Sequence, residues 1–288
     1  MQTNQLQNQV SEAYFLHNGE VCPIEVFQSL QIHHDPTIYE VLRVAQGVPL
    51  FFEEHFQRFV HSAELLGLNF PYSQENLQRE IHRLIELNQF PDKNIKIIFN
   101  DDDRQQPHLF LFFIPSHYPS HQAYSEGVHT ILYEAQRENP NAKVVAQTFR
   151  EKINEAMAGQ KSYEALLVNQ KGEITEGSRS NFFCIKGGIL YTATAQDVLV
   201  GITRSRVITL WQNLGLTVKE QPIPLSFLDK VEALFLTGTS PKVLPIASVN
   251  EKKYTSSEHL LMKQLQGAYD QLIETYIVNY LYPKPCHK

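Results

Sequence analysis

Apolar positions open the chain in short alternating runs and then change period. Tyr14-Phe15-Leu16, the Asn18-Gly19 pair and Val21 predict a β-hairpin, because Asn-Gly tolerates the positive φ that a tight turn between twisted strands needs. A second hairpin is predicted from Tyr39 to Val44 and from Pro49 to Phe52, joined through Gln46-Gly47. Phe56, Phe59, Val60, Ala63 and Leu66 then recur at helical spacing, with Gly67 or Asn69 as the stop, and a further helix is predicted over Gln74 to Asn88. Strands follow at Ile95 to Phe99 and His108 to Ile114, on either side of the acidic turn Asp101-Asp102-Asp103. The stretch from Pro115 to His121 suits neither regular structure, so we expect it to link two domains, 1–118 and 122–288.

Downstream the pattern predicts a strand at Thr130 to Ala135, a helix at Gln147 to Ala158, and strands at Ala165 to Asn169 and Phe182 to Ile185. The turn residues Gln170-Lys171-Gly172 and the stretch Ile174 to Gly177 lie between those two strands. Gly201-Ile202-Thr203 opens a helix closed by Gly215, with Val207, Ile208, Leu210 and Trp211 as its inner residues. A strand at Thr217 to Glu220, a short helix near Leu225 to Leu228, a strand at Ala233 to Leu236 and a helix from Ser257 to Leu281 complete the pattern. Hairpins interspersed with helices predict an α+β (mixed α/β) protein, and an early GxGxxG of the dinucleotide-binding type is absent.

Composition narrows the function. The 288 residues are 42% hydrophobic, enough for a substantial core, and a formal charge of -6 spread along the chain offers no basic face for nucleic acid or a membrane surface. Cys22, Cys184 and Cys286 are odd in number and lack CxxC spacing, which suggests reduced thiols and a cytoplasmic location rather than a disulfide framework or a metal site. The Gln- and Asn-rich start has no signal-peptide pattern, and the run Leu109 to Ile114 is far short of the about 20 residues a membrane helix needs. Small-molecule chemistry is the expectation.

Two loops have the composition of anion sites. Gly201-Ile202-Thr203 offers the free N–H groups of a helix start and a hydroxyl, and Thr237-Gly238-Thr239-Ser240-Pro241 offers hydroxyls and N–H groups after a strand. Either one alone reads equally as ordinary capping; the two together point to a phosphate-bearing ligand.

The order of several motifs then resembles the class IV aminotransferases, the fold-type IV pyridoxal phosphate enzymes. These motifs are Tyr39-Glu40-Val41-Leu42-Arg43-Val44, Glu54-His55-Phe56-Gln57-Arg58, Ser62 to Gly67, Ile174 to Phe183 with Glu176-Gly177-Ser178, Gly201-Ile202-Thr203-Arg204, and Thr237-Gly238-Thr239. The resemblance implies a two-domain enzyme, with a smaller N-terminal α/β domain and a larger C-terminal domain carrying a barrel-like sheet, that meet over the cofactor. It also implies a homodimer. Counting back through Tyr163-Glu164-Ala165 identifies Lys143 as the family's active-site lysine, which forms a Schiff base with pyridoxal 5′-phosphate and, once displaced, moves a proton.

By the same resemblance Glu176 holds the pyridinium nitrogen, and Arg58, Ile202, Thr203, Gly238 and Thr239 bind the phosphate. Ser180 and Asn181 organise the loop after Glu176, and His55 is a structural hydrogen-bonding group. Tyr39, Arg104 and Ser240 are the substrate-side candidates. Three departures stand out. His33-His34-Asp35-Pro36-Thr37-Ile38 replaces the family's Gly-Asp-Gly turn, and Asn100 to Arg104 brings acidic residues where relatives place an arginine. Near the cofactor hydroxyl, Gln147 or Thr148 stands in for the Asn or Tyr of relatives. Amino-group transfer between an amino acid and a 2-oxo acid is the expected reaction; elimination of the aminodeoxychorismate lyase type, and a relative that binds the cofactor without turnover, remain open alternatives.

Overall fold

In the computed structural model, which describes residues 10–27, 30, 36–89, 92–101 and 107–283, the first hairpin turns where Asn-Gly predicts. β1 (Tyr14–His17) and β2 (Glu20–Pro23) pair with His17 opposite Glu20, and Asn18 and Gly19 take φ of 49° and 80°. Gln46 and Gly47 repeat the device, at φ 52° and 76°, between β3 (Thr37–Ala45) and β4 (Val48–Pro49). This second strand is shorter than the Pro49 to Phe52 expectation, because α2 (Phe52–Leu65) already begins there. The left-handed Phe51 (φ 54°) makes that change of direction. Such a conformation costs a bulky residue about 1–2 kcal/mol, and burial of the Phe51 and Phe52 rings, the first edge-on to Tyr276 at 4.9 Å, offsets it.

The chain divides into two compact units, the first comprising residues 1–117, 142–145 and 273–288, and the second residues 118–141 and 146–272. In the first, β5 (Asn94–Asp101) and β6 (Pro107–Ile114) extend a six-stranded antiparallel sheet of order β2-β1-β6-β5-β3-β4. Ile95, Ile97, Phe99, Leu109, Leu111 and Phe113 point to one face, against Phe59 and Ala63 of α2 and Leu77, Ile81 and Leu84 of α3 (Gln74–Asn88). Ile98, Phe110 and Phe112 point to the other, beside Phe15, Tyr39 and Phe27 of α1 (Ile24–Phe27). Burial of both faces explains why these strands read as continuous apolar runs rather than as alternation. The expected turn at Asp101-Asp102-Asp103 falls partly outside the described residues, as do Arg104 and His33-His34-Asp35.

In the second unit, Ser120 caps α4 (His121–Glu126) by accepting from the Ala123 N–H, so the final residue of the expected linker is helical. β7 (Val128–Glu134), α5 (Gln147–Gly159), β8 (Glu164–Val168), β9 (Glu173–Gly177), β10 (Asn181–Lys186) and β11 (Ile189–Thr192) follow. Then come α6 (Ile202–Asn213), β12 (Val218–Glu220), β13 (Ile223–Pro224), β14 (Ala233–Gly238), β15 (Lys242–Val249) and β16 (Lys252–Lys253). The strands form a mixed ten-stranded sheet of order β12-β11-β10-β14-β15-β7-β8-β9-β13, with β16 on β15. Five of them, β9, β11, β13, β15 and β16, carry no strand expectation from the pattern. α6 buries Thr203, Arg204, Val207 and Trp211, whereas the expected Ile208 and Leu210 are only partly covered. The last helix, α7, spans Leu260–Leu281 and starts three residues later than expected, after a 3-10 turn at Ser256–Glu258. Among the described residues no helix is long and apolar enough to cross a membrane.

Candidate active site

Strand alternation sorts the Tyr-Glu motif of the first unit onto two faces. Glu40 sits opposite Ile97, on the helix-covered face, and Tyr39 sits opposite Ile98, on the other. Glu40 is buried and meets Arg58 of α2 through two bonds, Nε to Oε2 at 2.9 Å and Nη2 to Oε1 at 2.6 Å. The Val41 N–H donates to Oε1 at 2.9 Å, and His55 Nδ1 stands 3.4 Å away, a contact of charge rather than an aligned hydrogen bond. Burial pushes the Glu40 carboxyl up, but Arg58 and His55 overcome it and hold the group well below the ordinary carboxylate range. His55 is also fully buried, and burial holds its imidazole below the usual value, with Glu40 opposing and Arg58 and Lys143 adding to the effect.

Lys143 is fixed by its backbone beside the start of β3. Its carbonyl accepts from the Tyr39 N–H, the Val145 N–H donates to Thr37, and Val144 bridges to Ile38. The Lys143 N–H donates to Ser62 Oγ at 3.2 Å, and Ser62 Oγ donates to the Arg58 carbonyl, tying the lysine to the turn of α2 that carries the arginine. Its ammonium lies 4.7 Å from the centre of the Tyr39 ring. A second ammonium, that of the buried Lys96, lies 5.3 Å from the same ring. The structure therefore brings Tyr39, Arg58 and Lys143 together and adds Glu40, Ser62 and Lys96.

In the second unit β9 delivers Glu176. Arg137 Nε stands 2.8 Å from Oε1 in an ionic contact, the Leu199 N–H donates to Oε2 at 3.3 Å, and Arg137 Nη2 donates to the Ser178 carbonyl at 2.8 Å. Asn181 donates through Nδ2 to the Leu199 carbonyl at 2.8 Å, so Leu199 is held by Glu176 on one side and Asn181 on the other. Gly201 then caps α6 without a side chain, which leaves the first-turn N–H groups without a side-chain acceptor from the cap. A Cβ at Gly201 would lie 2.2 Å from Asn181 Oδ1, so only glycine admits that approach. Thr203, the second residue of α6, is buried and accepts from the Tyr269 hydroxyl at 3.3 Å.

The Thr237-Gly238 stretch ends β14, and the turn through Thr239, Ser240 and Pro241 leads to Lys242 at φ 51°. Thr237 Oγ1 is buried with no hydrogen-bond partner among the described residues. The unit thus contains an uncapped helix start, a hydroxyl beside it and a threonine loop with an orphaned polar atom. Those are donors that suit a phosphate. A separate cleft of about 340 Å³ is lined by Tyr269, Lys242 and Asp270, and none of the motif residues assigned by resemblance line it.

Sequence reasoning gave no role to Glu40, although it lies in the Tyr39 to Val44 motif, nor to Lys96, Arg137, Glu164 or Tyr269. The signal for Glu40 and Glu164 was a carboxylate heading or interrupting an apolar run; Arg137 and Tyr269 carry no comparable mark. Gln147 opens α5, with Thr148 the next residue, while Arg104 lies outside the described residues.

The model of the family "Amino-transferase class IV" matches residues 37–249. The chain is 29% identical to a protein of Rickettsia bellii named "Probable branched-chain-amino-acid aminotransferase", over 90% of this chain and 96% of that one. It is 26% identical to the D-alanine aminotransferase of Staphylococcus epidermidis, over 84% of this chain and 89% of that one. Among solved structures, a branched-chain amino acid aminotransferase from T.th. with pyridoxamine 5′-phosphate superposes with a TM-score of 0.82 at 21% identity, over 93% of this chain and 96% of that one. At that identity the likeness is one of fold.

Proposed function

The chain belongs to the class IV aminotransferases, and from that premise we propose that it moves an amino group between an amino acid and a 2-oxo acid with Lys143 as the residue that carries the cofactor. The observation that supports this reading best is the seat of Lys143. It is a lysine locked by its backbone to β3 and α2, with its amine over Tyr39 and the Lys96 ammonium against the same ring. Pyridoxal phosphate, when bound, supplies an aldehyde for the amine and a ring that takes up the electrons of the substrate Cα–H bond.

The chain's own groups have separable tasks in this reading. Lys143 Nζ tethers the cofactor and, once released, carries the proton to and from the substrate carbon. Glu176 presents a negative charge to the ring nitrogen and keeps it protonated, with Arg137 and the Leu199 N–H fixing the direction of its carboxylate. Arg58, held in place through its Nε and Nη2 bonds to Glu40, is assigned to the phosphate as a charge-assisted donor. The α6 start with Ile202 and Thr203, together with Gly238 and Thr239, completes the anion site, and Asn181 shapes the loop between them. Tyr39, Arg104 and Ser240 are assigned to the substrate. The proposal extends to a cytoplasmic homodimer: Cys22 and Cys184 are unpaired thiols, and the dimer rests on the family resemblance alone.

The test is direct. Borohydride treatment of the purified protein is expected to add the cofactor's mass to the peptide containing Lys143, and panels of L- and D-amino acids with a 2-oxo acid identify the donor. Lys143→Ala should lose both the added mass and amino-group exchange. Mass found on Lys152 or Lys161 instead would move the assignment.

A further inference from the structure

The most densely bonded carboxylate in the second unit is one to which the reaction assigns nothing. Glu164 heads β8, is buried, and takes five donors. The Ala165 N–H, the Ser178 N–H and the Ser178 hydroxyl reach Oε1 at 2.9, 3.1 and 2.5 Å, and the Arg179 N–H and Ser180 hydroxyl reach Oε2 at 3.2 and 2.9 Å. Three of the five are backbone N–H groups, which only donate, and they fall on both oxygens. A carboxylate satisfies this arrangement and an amide does not, because either orientation of an amide turns its NH2 toward a backbone N–H.

Those donors belong to the loop that follows Glu176. Ser178, held from one side by Glu164, accepts from Arg137 on the other, and Arg137 also contacts the Glu176 carboxylate. Ser180 is followed by Asn181, which holds Leu199, whose N–H returns to Glu176. The loop closes on itself through Gly177 N–H to the Ser180 carbonyl at 2.7 Å. A Cβ at Gly177 would meet Ser180 Oγ at 2.2 Å and Glu164 Cγ at 3.1 Å, so the close wrap around the carboxylate requires glycine there.

We propose that Glu164 is a positioning residue that acts through Glu176: its carboxylate clamps residues 178–180 and thereby sets the aim of the Glu176 carboxylate at the cofactor's ring nitrogen. The proposal rests on the reading of Glu176 given above. Arg137 and Leu199, which both touch Glu176, are each reached through the clamped loop.

The experiment compares Glu164→Gln, Glu176→Gln and the double variant with the wild-type holoenzyme, reconstituted with pyridoxal phosphate labelled with 15N in the ring. Ring-nitrogen chemical shift and the rate of α-proton exchange are read in each. Glu164→Gln is expected to move the shift toward the unprotonated value and to slow exchange by about tenfold to a hundredfold. In the Glu176→Gln background it should add less than about twofold. A purely structural role predicts an unmoved nitrogen shift and the same fold-loss in both backgrounds, and that result overturns the proposal. An unmoved shift in Glu176→Gln itself instead rejects the reading of Glu176, and the proposal with it. Should Glu164→Gln not fold, Ser180→Ala removes one hydroxyl from Oε2 and leaves the carboxylate. It is expected to move the nitrogen shift in the same direction by a smaller amount, and no movement counts against the proposal.

Discussion

Replacing Arg58 by Met is expected to change not only the stability of the protein but the sign of one part of its pH dependence. Arg58 is 11% exposed and Glu40 1%, and two short bonds join them, so the variant leaves a carboxylate in the core with only His55 and one N–H beside it. Breaking such a pair from one side costs about 3–5 kcal/mol. In the wild type the Glu40 carboxyl is held below its unfolded value of about 4.5, so its contribution is fully present above that pH and is lost as the pH falls. Without Arg58, burial is the dominant influence and raises the carboxyl above the unfolded value. Each unit of that rise is about 1.4 kcal/mol of penalty at neutral pH, relieved when the group takes up a proton.

The stability gap between the two proteins should therefore be widest at pH 7 and narrow steadily toward pH 4.5. His55, held low by burial with Arg58 adding to it, weakens the wild type more than the variant on acidification below about 6.5, and so narrows the gap in the same direction. Urea unfolding of cofactor-free protein across this range measures it. Adding Glu40→Gln to the variant should restore part of the loss at pH 7, because the amide removes the uncompensated charge. A gap that stays constant with pH, or a loss below about 1 kcal/mol, refutes the assignment of Arg58 and Glu40 as a buried charge pair.

Three shorter expectations concern the second unit. Thr203→Val keeps the shape of the α6 start but removes its hydroxyl, so cofactor affinity measured by equilibrium dialysis should fall roughly tenfold or more while the melting point of cofactor-free protein changes little. Gly201→Ala, whose Cβ would stand 2.2 Å from Asn181 Oδ1, should destabilise the fold by about 1–3 kcal/mol and weaken cofactor binding as Asn181 is displaced. Glu176→Gln should retain cofactor yet slow α-proton exchange by about a hundredfold; normal exchange with normal cofactor content contradicts its role.

What the sequence made legible follows from which signals are local. Both hairpin turns were readable because Asn18-Gly19 and Gly47 are residue types that accept positive φ, whereas Gln46 takes it from the turn. α3 was readable to the residue, since Ser73 caps it and Leu77, Ile81 and Leu84 keep the helical period. β9 was hidden because Glu173, Glu176 and Gly177 look like turn residues, although four of its five positions are buried. β15 was hidden by Pro245 at its centre, which sits opposite Phe235 of β14, with a register shift against β7 directly after it. On α6 the buried face includes Thr203 and Arg204, and Arg204 reaches Glu220 at 2.6 Å, so polarity concealed the inward side. The motifs single out Lys143, Glu176 and Arg58 by resemblance, and Glu40 and Ser62 fall within the same motifs, but Arg137 is near Glu176 only in space, and no spacing along the chain announces it.

Three buried carboxylates, two of them within the motifs, are each stabilised differently, which bears on what each is for. Glu40 is paired with a guanidinium and is silent to solvent; its partner, Arg58, is the group assigned to a ligand, so Glu40 orients a charge rather than supplying one. Glu164 has five donors and no cation among its hydrogen-bond partners in the described residues, an arrangement that anchors backbone and leaves no acceptor to spare. Glu176 differs from both: Arg137 meets it through an ionic contact at 2.8 Å, and the Leu199 N–H reaches it through a long bond of 3.3 Å. Both contacts fix the direction of the carboxylate, which is what the role assigned to Glu176 asks of it. Glu40 and Glu164 thus hold the scaffold each in its own unit, the first through a charged partner and the second through backbone and hydroxyl donors.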